Sequence, residues 1–179
     1  MTYGGPEVPP DQPSPESFKL RESGPIIEWV ADTFPSSGLL PQDPLLRYKA
    51  RIFIDVLGSK LISAYHGFAF RDTPVETLIK GIEALQAELV PGTKFAINDQ
   101  ITIADAAAAP FLVRLELVLR NDVGLFAEGE GKKLHELLST DAKFKRFWSY
   151  VLALKERDSV VKTFPEVRMR PEYVALERH

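Results

Sequence analysis

The chain has 179 residues, 45% of them hydrophobic and 26% charged, with a formal net charge of −3 and no cysteine. That length holds one ordinary domain, or one domain plus part of another, with a core that needs no covalent staples. The composition excludes disulfides, thiolate metal sites and cysteine nucleophiles, and the dispersed Lys and Arg argue against a nucleic-acid partner.

No apolar run approaches the ~20 residues of a membrane span, and the N-terminus lacks the basic-then-apolar pattern of a signal peptide. The expectation is a soluble, cytoplasmic protein. The first sixteen residues stand apart: Gly4-Gly5 and the prolines at 6, 9, 10, 13 and 15 predict an extended loop. Phe18-Lys19-Leu20 is a short strand candidate. Ser23 is then expected to cap a helix that has Pro25 in its first turn and Ile26, Ile27, Trp29 and Val30 as apolar content. Pro35, Gly38 and Pro41 punctuate a linker over 36–42.

From Asp43 the helical signals are clean. Asp43-Pro44 predicts an N-cap with Pro at N1, and Leu45, Tyr48, Ile52 and Val56 follow at helical spacing to about Tyr65, with a bend at Gly58-Ser59. Thr73-Pro74-Val75-Glu76 predicts a capping box before a stripe of Leu78, Ile82, Leu85 and Leu89. A second box is predicted at Thr102-Ile103-Ala104-Asp105, with the Thr102 side chain and the Asp105 carboxylate each taking a backbone N–H of the other. The segment 106–119 is apolar on nearly every face, broken only by Arg114 and Glu116, so it belongs in the middle of a bundle, with a kink at Pro110. Short helices are expected over 132–138 and from Asp158, with a longer one from Thr140 or Asp141 carrying Phe144, Phe147, Val151 and Leu154 on one face. The fold class is mainly α: a helical bundle over 43–165, a preceding piece over 1–35 with one or two strands and a helix, and a polar tail over 166–179.

Candidate chemistry is sparse. His66, His135 and His179 have no metal-ligand spacing, and no phosphate-binding glycine motif occurs. Glu22-Ser23 precedes a helix, where backbone N–H groups and a hydroxyl suit a carboxylate and the acid suits an ammonium. Simple capping by Ser23 is the competing reading. Tyr65, Phe68 and Phe70 either line an apolar ligand pocket or pack into the core.

Together these segments resemble the cytosolic glutathione transferases. The residues that carry the resemblance are Phe18 to Ser23, Ile26 to Asp32, Gly38-Leu39-Leu40-Pro41, Asp43-Pro44 and, most specifically, Asp99 to Asp105. Pro110 and the proline-rich stretch look most like fungal omega-type members. The resemblance implies an all-α C-terminal domain preceded by a truncated remnant of a thioredoxin-like domain. It implies glutathione as co-substrate and no metal, with Glu22 on its ammonium and Ser23 on its carboxylate. Small hydrophobic electrophiles would be the second partner, and a homodimer the expected assembly.

No residue of this chain matches the family's thiol-activating position, so no catalytic residue is assigned and weak or absent activity is expected of these residues alone. The alternative is a non-catalytic module of the same fold that holds ligands or proteins.

Overall fold

The computed structural model describes residues 1–9, 11–71 and 73–164; the tail expected over 166–179 lies outside them. Two short strands, β1 (Thr2–Tyr3) and β2 (Phe18–Lys19), pair antiparallel with Thr2 opposite Lys19 and Tyr3 opposite Phe18. The loop between them is tied by the Ser17 hydroxyl donating to the Gly4 carbonyl at 2.7 Å. Helix α1 (Ser23–Thr33) follows, with the Trp29 ring edge-on to Tyr3 at 4.7 Å.

The chain then enters the bundle. Asp43 caps α2 (Pro44–Val56), accepting the Leu45 N–H at 2.7 Å, with Pro44 at N1. Where the sequence predicts a bend at Gly58-Ser59, the chain forms a π turn, Leu57–Ile62, and runs on as α3 (Ser63–Phe70), past the expected end at Tyr65.

The capping box expected at Thr73 to Glu76 does not form. Pro74 is itself the N-cap of α4 (Val75–Ala87), with no side-chain cap, while the Thr73 N–H is spent on the Gly67 carbonyl that closes α3. Helix α4 packs on the π turn and α3. A Cβ on Gly81 would sit 2.9 Å from the Lys60 carbonyl oxygen, so this close approach requires glycine.

Helix α5 (Ile103–Arg120) is central, touching α1, α2, α6 and α7. It is followed by α6 (Glu130–Thr140), α7 (Lys145–Lys155) and α8 (Asp158–Thr163). Helix α6 begins two residues earlier than expected because Asp122, in a left-handed conformation (φ 58°), reaches across the loop. Its carboxylate accepts the Gly129 N–H at 2.5 Å and the Gly131 N–H at 2.9 Å. No helix among the described residues is long and apolar enough to cross a membrane.

The start of α5 is the most densely bonded point. Thr102 is the N-cap, its Oγ1 accepting the Ala104 N–H at 3.3 Å. The fully buried Asp105 carboxylate accepts the Thr102 N–H (2.8 Å), the Thr102 hydroxyl (3.1 Å), the Ala96 N–H (2.9 Å) and the Tyr150 hydroxyl of α7 (2.9 Å). Burial and then the Asp105 charge push the Tyr150 pKa well above its ordinary value, which keeps Tyr150 a donor.

Removing the carboxylate strands several buried donors at once. Asp105→Ala should therefore destabilise the protein by about 3 kcal/mol or more, and Tyr150→Phe by about 1–2 kcal/mol, in urea unfolding. Equal stability of Asp105→Ala and wild type would refute the assignment.

Candidate functional site

The Glu22-Ser23 corner is set by backbone rather than by capping. Ser23 is the first residue of α1, not its cap. The N-cap is Glu22, with no side-chain cap hydrogen bond. Ser23 is thus corrected from cap to an exposed residue in the first turn of α1, a helix start that carries no side-chain cap.

Glu22 itself holds φ 64° and ψ 126°, a conformation that a residue with a Cβ adopts only at a cost of about 1–3 kcal/mol. An exposed acidic residue thus stands directly before the positive end of α1. That arrangement offers donors for a carboxylate and an acceptor for an ammonium.

The aromatic trio separates. Tyr65 and Phe68 are buried core residues, and Phe68 stacks on Phe126 with ring centroids 4.5 Å apart. Phe70 is exposed and meets Tyr65 edge-on at 6.1 Å. None of the three lines the apolar cleft described next. The side chains of an internal helix are already used by its neighbours, and periodicity alone does not tell a pocket wall from a core.

That cleft, of about 580 Å³, lies between the linker, one face of α5 and the length of α8 from Arg157 to Phe164. Leu39, Ile101, Ala106, Pro110 and Phe164 give it apolar walls, and Arg114 and Arg157 bring two cations, Arg114 lying 6.0 Å from the Phe164 ring centroid. Pro110 has no N–H, so the Ala106 carbonyl lacks its helical donor along this wall. The linker is held to α5 by the Ile103 N–H donating to the Leu39 carbonyl at 3.0 Å.

The sequence signal was present: Arg114 is one of two charged breaks in an otherwise apolar segment, and Pro110 is its one proline. No group of three His, Asp or Glu side chains among the described residues could hold a metal ion. Helix α5 backs both features, since α1 packs on it and the cleft is cut into it.

Residues 70–151 match the family model described as glutathione S-transferase, C-terminal domain. Among solved structures, the chain is similar to glutathione transferase Omega 1C from Trametes versicolor, with a TM-score of 0.91 and 44% identity, covering 98% of this chain and 73% of that one. Omega 2S from the same organism, solved in complex with 2,4-dihydroxybenzophenone, gives 0.89 and 38%, over 97% and 75% of the two chains. A probable glutathione S-transferase of Nicotiana tabacum is 33% identical over 133 residues, 72% of this chain. The chain spans about half the length of that curated relative (53%).

The Tyr65 hydroxyl is buried without a hydrogen-bond partner, and burial pushes its pKa up to about 12, against a smaller opposing pull from Arg114. In the unfolded chain the phenol ionises near its ordinary value of about 10. The stability this group contributes is therefore intact below about pH 10 and lost as pH rises toward 12. Tyr65→Phe should be at least as stable as wild type at neutral pH and should lose less stability across that alkaline window in urea unfolding. A steeper alkaline loss in the variant would contradict this.

Proposed function

The chain belongs to the glutathione transferase superfamily, and from that premise we propose that Glu22 and Ser23 bind the γ-glutamyl end of glutathione while the cleft on α5 holds a small hydrophobic electrophile or ligand. The observation that carries the reading is the backbone of Glu22: strain at an exposed, uncapped helix start has no folding purpose and is what a ligand clamp needs. Ser23 and the open N–H groups take the carboxylate, and Glu22 takes the ammonium. The cleft, of a size suited to a small molecule, takes an apolar partner against Leu39, Pro110 and Phe164.

In a complete site of this class the thiol of glutathione is the nucleophile, attacking the electrophilic atom and expelling its leaving group, with its proton lost to solvent or a base. These residues contribute binding and orientation to that step. No thiol-activating group is assigned among them, so the 179 residues on their own conjugate or reduce electrophiles weakly or not at all. That same feature favours a second reading, in which the fold holds ligands without turning them over. The reading also includes a cytoplasmic site of action, where glutathione is abundant, and a homodimer. For the dimer we assign the exposed Leu45 and Tyr48, three residues apart on one face of α2.

Calorimetry with glutathione separates these ideas. Glu22→Gln and Ser23→Ala should each weaken binding about tenfold, the scale of one charge-assisted hydrogen bond. Unchanged affinity in both would remove the corner from the site. Ala106→Trp, which fills the cleft, should abolish binding of 2,4-dihydroxybenzophenone and leave glutathione affinity intact. Turnover of a model electrophile as fast as a full-length family member would overturn the claim of weak activity.

A further inference from the structure

The wall that α5 gives the cleft is a single stripe. Ala106, Pro110 and Arg114 follow one another at four-residue spacing, and all three line it. In a helix the carbonyl of one residue points along the axis at the N–H of the residue four positions on. The Ala106 carbonyl therefore points at the Pro110 nitrogen, which has no hydrogen to give. The pyrrolidine ring also crowds this oxygen and tilts it off the axis, toward the face on which Pro110 stands. Pro110 is exposed and Ala106 half-buried, so that face is an open one. A methyl group and a ring flank the oxygen, and neither is long enough to fold back over it.

The other acceptors along the cleft are in use. The Leu39 carbonyl takes the Ile103 N–H at 3.0 Å, and the Val160 carbonyl takes the Phe164 N–H at 2.8 Å. The Ser159 carbonyl takes the Thr163 hydroxyl at 2.6 Å, while Ser159 Oγ takes the Arg157 Nε–H at 2.9 Å. Arg114 and Arg157 can only donate. Among the described residues no backbone donor outside α5 reaches the Ala106 carbonyl. The acceptor that a ligand can use thus sits in the α5 wall, between Ala106 and Pro110.

A lone acceptor in an apolar wall selects by what it rejects. A ligand that covers it with carbon removes its water without replacing the bond, whereas a hydroxyl replaces it. An ammonium would also donate, but it leaves water for apolar walls at far greater cost than a neutral hydroxyl does. The Phe164 ring and the face of Pro110 suit a flat aromatic body. We infer that the cleft selects a neutral phenolic ligand, whose O–H donates to the Ala106 carbonyl that Pro110 leaves without a helical donor. This rests on the reading of the cleft as a small-molecule site, and it adds the group that orients the molecule there.

The test is calorimetric titration of the full chain with 4-hydroxybenzophenone and its methyl ether, 4-methoxybenzophenone, in mildly acidic buffer where the phenol is un-ionised. Wild type should bind the phenol about tenfold more tightly than the ether, the scale of one buried hydrogen bond. Pro110→Ala gives the Ala106 carbonyl its helical N–H and should fold at least as well as wild type. The variant should narrow the preference to about twofold or less. The ratio of the two affinities is the readout, because lost contacts with the ring weaken both ligands alike. In wild type, the carbon resonance of the Ala106 carbonyl should shift further with the phenol than with the ether, which needs no variant. Equal affinity of wild type for phenol and ether would overturn the inference and leave the cleft as a site. Failure of both to bind would remove the cleft reading and this inference together. A preference retained by Pro110→Ala, or one that grows as the phenol ionises, would give the hydroxyl another partner and overturn it as well.

Discussion

The Asp105 carboxylate is the constraint on which the rest of the molecule depends. A buried ion without partners costs several kcal/mol, and this one is retained because two backbone N–H groups and two hydroxyls converge on it. Each bond fixes a different part of the chain. The Thr102 bonds set the first turn of α5, the Ala96 bond shapes the loop before it, and the Tyr150 bond brings in α7. Arg146 completes the same corner from α7, donating to the Phe95 carbonyl at 2.7 Å and the Val90 carbonyl at 3.2 Å. The loop from Val90 to Thr102 satisfies many of its polar groups by bonds within itself, and α5 and α7 supply partners for Ala96, Phe95 and Val90.

A second carboxylate performs the same service further along α5. Glu116 is almost wholly buried, and Lys155 of α7 (2.7 Å), Arg120 of α5 (3.2 Å) and His135 of α6 (3.6 Å) surround it. Helix α5 is apolar on nearly every face, and apolar contact by itself is non-directional. The two acids supply the direction. One fixes where the helix begins and which turn of α7 lies beside it; the other fixes how α6 and α7 meet it near its end.

What the sequence made legible follows from this division. Helix α5, its cap at Thr102 and its central place were readable because an apolar run and a local Thr-to-Asp spacing are both contained within a short window. The early start of α6 was not, because the carboxylate that takes the Gly129 and Gly131 N–H groups is Asp122, seven residues before Gly129 and across a loop. The missing box at Thr73 has the same cause: α3 runs further than its stripe suggested and claims the Thr73 N–H first. At the candidate site, Glu22 and Ser23 were readable as residue types at a helix start, but the left-handed backbone of Glu22, which makes it and not Ser23 the N-cap, is a conformation, invisible in letters. Tyr65 and Phe68 take the core reading of the two that the sequence left open, because burial from several sides cannot be read along one helix. Arg114 and Pro110 were visible throughout as interruptions whose meaning depended on which face of α5 is left open.

The strain at Glu22 raises the question of what holds it. A two-stranded ribbon of four paired residues is marginal by itself and cannot oppose about 1–3 kcal/mol of backbone strain. The restraint must come from the other side, through α1. That helix packs on α5, its Ala31 is buried in the main core, and Glu28 forms a two-point ion pair with Arg51 of α2 at 2.9 and 3.0 Å. The Arg51 pair is largely exposed and contributes little alone, so the weight falls on the α1–α5 contact. The Glu22 turn thus borrows its rigidity from the helical bundle, and through α5 it is coupled to the Asp105 network that fixes where that helix begins.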